Sequence, residues 1–193
     1  MLTFVEEGHK YFWDGELWPS VTQIMEEEGI SNFSKVPAFR LEAAKAWGTA
    51  VHRMCQFWDE GALDESKLSE PLKPVLAGWQ KFRKDYGFNF TLGDIERRVY
   101  SLKWKFAGTL DRIPAERPDL LLDIKTSEEI AWSVGAQVSA YSICLEETDK
   151  IKIKERWAVI LPFEGGYKIE PFAVDERATF LAALTLNKRK KRG

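Results

Sequence analysis

Cysteine is scarce in this chain: of 193 residues only Cys55 and Cys144 carry a thiol, and they form no Cys-x-x-Cys pair. A zinc site or an iron–sulfur cluster built on four cysteines is therefore not encoded. Both cysteines fall in apolar helical patterns and read as reduced core thiols. A long apolar run is lacking too, since no stretch approaches the ~20 residues needed to span a bilayer. The opening MLTFVEEGHKYFWDG has early acids and no hydrophobic segment, so no signal peptide is expected. Together these features predict a soluble cytoplasmic protein with no membrane partner. A large excess of one charge is also missing, the formal net charge being -2. That neither advertises nor excludes a polyanionic partner, because a local basic stripe matters more than the total. There is no Walker motif, no internal repeat and no low-complexity linker.

What is present is a globular balance, 45% hydrophobic and 30% charged, with enough aromatic residues (Trp 8, Phe 12, Tyr 5) to build a core and to spare some rings for a ligand. The length suits one domain, or one domain with an elaboration. HKYFWDGELWPSV alternates around Asp-Gly and predicts a small hairpin. A short helix follows, with Ser20 or Thr22 as N-cap and Gly29 as its stop. From Pro37 to about Glu60, Trp47, Val51, Met54 and Trp58 recur at helical spacing, and Gly61 ends the pattern. Pro71 to Tyr86 reads as a second long helix with its prolines confined to the first turn.

The texture then changes. Asp94 to Leu102, Trp104 to Ile113 and Leu120 to Thr126 predict three strands joined by short turns. A helix capped by Ser127, with Glu128 or Glu129 in its first turn, comes next. Two strands, Glu155 to Phe163 and Tyr167 to Phe172, meet at Glu-Gly-Gly, and a helix from Asp175 to about Asn187 precedes the tail KRKKRG. The expected architecture is α/β, a central mixed sheet flanked by helices. It forms a single domain, with a mainly helical part over 1–90, a sheet core over 91–187 and a basic tail over 188–193.

GTLDRIPAERPDLLLDIKTS places charge inside segments that otherwise read as buried strands. Desolvating a charge is costly unless it is compensated. Residues two apart on a strand share a face, so Asp123 and Lys125 point one way and Ile124 the other. If the Asp111 strand pairs with this one through the turn PAERPD, Asp111 comes alongside Asp123. Two carboxylates at close range repel unless a cation lies between them, and hard divalent ions such as Mg²⁺ take ligands of this kind. A salt bridge between Asp123 and Lys125, or exposed strand ends, is the plain alternative for these residues taken singly.

GTLDRI, a short turn, DLLLDIKTS and a helix carrying QVSAY together resemble the PD-(D/E)xK nuclease superfamily in its RecB-type branch. WGTAVHRM supplies the upstream helical histidine of that branch, His52, and Glu96 matches a glutamate that many members carry on the preceding strand. WPSVTQIM resembles the N-terminal segment of phage-encoded and mitochondrial exonucleases of the branch. The resemblance runs from about residue 18 to residue 160. Thr109-Leu110-Asp111 stands where the superfamily's proline-aspartate would be, a version common in RecB-type members. It implies a restriction-endonuclease-like core with His52, Asp111 and Asp123 as metal ligands, helped by the backbone carbonyl of Ile124. Lys125 would act on the attacking water, and Glu96 would hold a second metal directly or through water. Gln137 and Tyr141, four apart on one helix face, would brace the site or touch DNA, unless they simply line a helix–sheet contact. Thr126, Ser20 and Arg112 join them as supporting or DNA-contacting residues.

The implied activity is metal-dependent hydrolysis of DNA by an exonuclease, using one or two Mg²⁺ or Mn²⁺ ions and no iron–sulfur cluster. Its setting would be phage or bacterial replication, recombination or repair, with a recombinase or single-strand-binding protein as candidate companion. A flap-type endonuclease of the same fold and a non-catalytic DNA-binding module are the alternatives. Arg97, Arg98, Lys103, Lys105 and Arg112 cluster in sequence near the expected site. Trp104 and Phe106 are candidates for base stacking or for the core, and the tail cations 188–192 for loose phosphate contacts.

Overall fold

The computed structural model describes residues 1–31 and 36–191. Its centre is a five-stranded sheet in the order β4-β5-β6-β7-β8, made of Ile95–Ser101, Phe106–Arg112, Leu120–Lys125, Glu155–Ile160 and Lys168–Pro171. β6 and β7 run parallel and every other neighbouring pair antiparallel, so the sheet is mixed. A parallel pair needs a long crossover, and α4 (Ser133–Thr148) supplies it. β6 is apolar on both faces, as a strand covered by helices on both sides must be. Leu121 joins Val21, Val138, Leu145 and Phe180 in a core against α1 (Val21–Glu27), α4 and α5 (Arg177–Lys190). Leu120, Leu122 and Ile124 join Val51, Met54, Trp79 and Phe82 in a second core against α2 (Ala38–Asp59) and α3 (Leu72–Tyr86).

The expected order of elements is present, with three differences. The N-terminal part is more than a hairpin: β1 (Leu2–Val5), β2 (Lys10–Trp13) and β3 (Glu16–Trp18) form a separate antiparallel sheet. It leans on the central sheet, with Trp13 against Tyr100 and Ala107 N donating to Pro19 O. Ser127 does not cap α4, which starts six residues later after Trp132. The Ser127 hydroxyl instead donates to the Glu129 carbonyl and holds a loop. Finally, α5 continues through Lys190 into the basic run. Lys188 Nζ donates to Trp104 O at 2.6 Å, while Lys190 and Lys191 pair with Glu28 and Glu27. These lysines therefore tie α5 to α1 and to the β4–β5 turn rather than forming a loose tail; Arg192 lies outside the described residues.

Ser20 is the N-cap of α1, accepting from Gln23 N while the Gln23 side chain accepts from Ser20 N. Both cysteines are buried and free, and burial pushes their thiols up. Among the described residues, no helix is long and apolar enough to cross a membrane.

Candidate metal centre

The register Arg112↔Leu122 sets Asp111 beside Asp123, as the hairpin reading required. Past that pair β5 and β6 part, and the peptide of Ile124 is left facing β5 without a ladder partner there. Its N–H is taken by the Asp111 carboxylate, Oδ2 accepting at 2.6 Å. Its carbonyl faces His52, whose Nε2 lies 3.0 Å away. A carbonyl only accepts, so Nε2 carries the proton of that bond. Nδ1 then faces two carboxylates, Asp111 Oδ1 at 3.6 Å and Glu96 Oε1 at 3.7 Å.

The Glu96 backbone lies in the left-handed region, φ 46°, inside an otherwise extended strand. For a glutamate this conformation costs on the order of 1–3 kcal/mol. It persists where the surroundings over-determine it, and here Arg112 Nη1 holds Glu96 Oε1 at 3.0 Å. Arg112 itself is 0% exposed. Its Nε donates to Asp59 Oδ2 at 2.7 Å, and its guanidinium faces the rings of Trp79 and Phe90. Arg112, expected as a supporting or DNA-contacting residue, lies buried behind Glu96, in the position of a supporting one. Asp59 is shared with Arg83 and accepts from the Trp79 indole at 3.0 Å.

On the other side of the site, Lys125 Nζ lies 2.8 Å from Asp123 Oδ2. The approach is poorly aligned, so this buried oxygen keeps acceptor capacity. Lys125 Nζ also donates to Gln137 Oε1 at 3.4 Å, and Gln137 Nε2 donates to the Tyr141 hydroxyl at 3.1 Å. Gly108 makes room for that tyrosine, because a Cβ there would lie 2.6 Å from Tyr141 Cε1. Thr126 continues β6 beside Gly48 of α2.

Charge is unbalanced in this cluster. Burial, with the neighbouring charges of Asp123 and Glu96, lifts Asp111 to about 6 against the pull of His52 and Lys125. Burial opposes a charged His52, but Asp111 and Glu96 outweigh it and raise the imidazole to about 9. Burial likewise opposes charge on Lys125, and Asp123 and Asp111 overcome it to hold the ammonium above its ordinary range. Burial disfavours the Glu96 anion, yet His52 and Arg112 keep it below the usual glutamate value. One ligand atom each from His52, Glu96 and Asp111 lies within 4.8 Å of the others. An imidazole and carboxylates at that spacing fit a divalent cation, and a proton on Nδ1 occupies the place it would take. The resemblance grouped Asp123 with His52 and Asp111. Here Glu96 completes the triplet, while Asp123 stands one step away on Lys125 and the Ile124 carbonyl is held by His52.

The remaining expected cations separate. Arg97 is engaged by Asp94 and Asp149, and Lys105 by Glu16. Phe106 is fully buried in the core, and half-buried Trp104 packs against the same core. Arg98 does reach the site. It lines a cleft of about 1060 Å³ together with His52, Glu96, Thr109 and residues of the N-terminal sheet. That sheet as a wall of the site was not foreseen from the sequence; HKY, with a histidine just ahead of a strand and two residues from a tyrosine, was the available signal.

No protein-family model and no curated protein matches the sequence. Among solved structures, the fold is similar to that of a "putative exonuclease" from Eubacterium rectale, with a TM-score of 0.54 and 13% identity over 74% of this chain. The chain covers 65% of that protein's length. At this identity the likeness is one of fold: a mixed sheet flanked by helices, matching a nuclease-like core.

Proposed function

We propose that the chain is a divalent-cation-dependent deoxyribonuclease of the PD-(D/E)xK superfamily, RecB-type branch, acting as an exonuclease in phage or bacterial DNA replication, recombination or repair. The observation that carries this reading is the convergence of His52, Glu96 and Asp111 on one point where β5 and β6 part, with the Asp123–Lys125 pair beside it. The nuclease-like fold and the similarity to the E. rectale protein support it. His52, Glu96 and Asp111 would hold Mg²⁺ or Mn²⁺, with Asp123 free to join them once Lys125 turns to substrate. The bound cation would stabilise the charge that develops on the phosphodiester.

The residues of the chain do the rest. Lys125, kept cationic by Asp123, orients water and neutralises phosphate charge as the water oxygen bonds phosphorus and the opposite P–O bond breaks, the water giving its proton to solvent and the departing oxygen taking one from solvent. Gln137 fixes Lys125 and Tyr141 fixes Gln137, so both are positioning residues.

The test is digestion of single- and double-stranded DNA labelled separately at its 5′ and 3′ ends, with Mg²⁺ or Mn²⁺. Wild type releases label progressively from an end, and Lys125→Ala and Asp123→Ala release none. Retained metal-dependent cleavage in Asp123→Ala overturns the site assignment. Cleavage of a circular single strand moves the reading to a flap-type endonuclease. Failure to cleave any DNA form with either ion leaves a non-catalytic binding module.

A further inference from the structure

The chain has two histidines, and both line the same cleft. His52 belongs to the metal centre, and His9 has no part in it. His9 sits in the turn between β1 and β2 with φ 50°, its N–H bonded to Glu6 O at 3.0 Å. Its Nε2 lies 2.9 Å from the hydroxyl of Tyr11, which is fully buried. That hydroxyl lies 2.8 Å from Thr109 Oγ1, two residues before Asp111 on β5. The ring is thus fixed by a hydrogen-bonded chain anchored in the strand that carries the metal centre. When the Tyr11 hydroxyl donates to Nε2, the proton of the neutral imidazole resides on Nδ1. Among the described residues, that nitrogen has no hydrogen-bond partner.

A second observation concerns charge. Arg98 lines the cleft from β4, with its guanidinium 4.7 Å from the centroid of the Phe4 ring. His9 packs edge-on against the same ring, at 4.9 Å. Arg53, also in the cleft, is paired with Glu6, whereas Arg98 has no acidic partner among the described residues. An N–H donor and an unneutralised guanidinium thus flank one aromatic ring in the wall opposite α2; burial holds the His9 imidazole below its ordinary value, against the opposing charge of Glu96.

We propose that His9 and Arg98 form a phosphate subsite for the DNA strand, His9 Nδ1–H and the Arg98 guanidinium donating to a backbone phosphate beside the one at the metal centre, with Tyr11 as the positioning residue for the His9 ring. The subsite rests on the nuclease reading for the identity of its polyanion, and it gives the N-terminal sheet a role in gripping the strand.

The test is fluorescence anisotropy of a fluorescein-labelled single-stranded oligonucleotide with EDTA present, so that binding is read without cleavage, at several fixed salt concentrations. Arg98→Ala weakens binding about tenfold and lowers the salt slope by about one. His9→Ala weakens it to a similar extent. His9→Asn retains most affinity, because asparagine tolerates positive φ and offers an amide N–H near the Nδ1 position. Tyr11→Phe, which keeps the core ring but frees the imidazole, gives an intermediate loss. Arg98→Ala at the surface leaves the fold intact, so affinity and salt slope unchanged in that variant overturn the proposal, as do equal affinities for His9→Ala and His9→Asn. Wild type that binds no DNA overturns both this subsite and the nuclease reading. Wild type that binds with the stated His9 and Arg98 dependence but cleaves nothing when Mg²⁺ is restored overturns the nuclease reading alone.

Discussion

Asp111 and Arg112 are successive residues of β5, both buried and both charged, and the protein treats them oppositely. Arg112 is the better matched: Asp59, Glu96 and the Asp111 carbonyl accept from it, Arg83 shares Asp59, and its Nη2, buried without a hydrogen-bond partner among the described residues, is left beside two aromatic rings. Asp111 is crowded instead, buried with Glu96 and Asp123 as like charges against the pull of His52 and Lys125. Breaking a compensated buried pair strands the remaining charge, which is why such pairs anchor a structure. A crowded carboxylate does the reverse: it holds energy that a ligand can release. Glu96 belongs to both groups and connects them.

The largest effect should come from breaking the matched side. Asp59→Ala leaves Arg112 buried without its main partner and is expected to cost about 3–5 kcal/mol of stability, read by chemical denaturation. A loss under about 1 kcal/mol would mean that the aromatic faces and Glu96 suffice. Relief of the crowded side comes next. Asp111→Asn should abolish DNA cleavage, a fall on the order of 10²–10³ or more, yet leave the metal-free protein as stable as wild type or more so. Adding Mn²⁺ should raise the melting temperature of wild type and not of the variant; equal shifts would place the ion elsewhere. The smallest effect is one of pH. His52 has a folded pKa of about 9 against 6.5 unfolded, so its stabilisation is fully present below pH 6.5 and is lost as pH rises through 9. Metal-free wild type should lose stability across that window, and His52→Gln should flatten the loss.

The two sides also differ in how far they could be read from sequence. Asp111 declared itself by interrupting one apolar strand, and Asp123 and Lys125, two residues apart, by interrupting the next, while the helical spacing of Val51 and Met54 gave α2, on which His52 rides. These signals are local. The partner of Arg112 is 53 residues away at the end of helix α2, and nothing near Arg112 distinguishes a buried guanidinium from a DNA contact. Glu96 could be counted as a candidate but not aimed, because its direction depends on a left-handed backbone that no side-chain pattern encodes. Ser127 followed by two glutamates imitates an N-cap with an acidic first turn, and the loop hydrogen bond that competes with it is invisible until the chain is folded. β1 was missed because four residues alternate too briefly to be read as a strand.

The parting of β5 and β6 has a consequence for observing the protein in solution. The Ile124 amide is bonded not to a neighbouring strand but to an ionisable carboxylate, at 2.6 Å. Such a proton resonates far downfield, and its shift follows the charge on its acceptor. A single backbone NMR signal is thereby wired to the occupancy of the centre, so proton, cation and empty carboxylate would each leave a separate position on a titration spectrum.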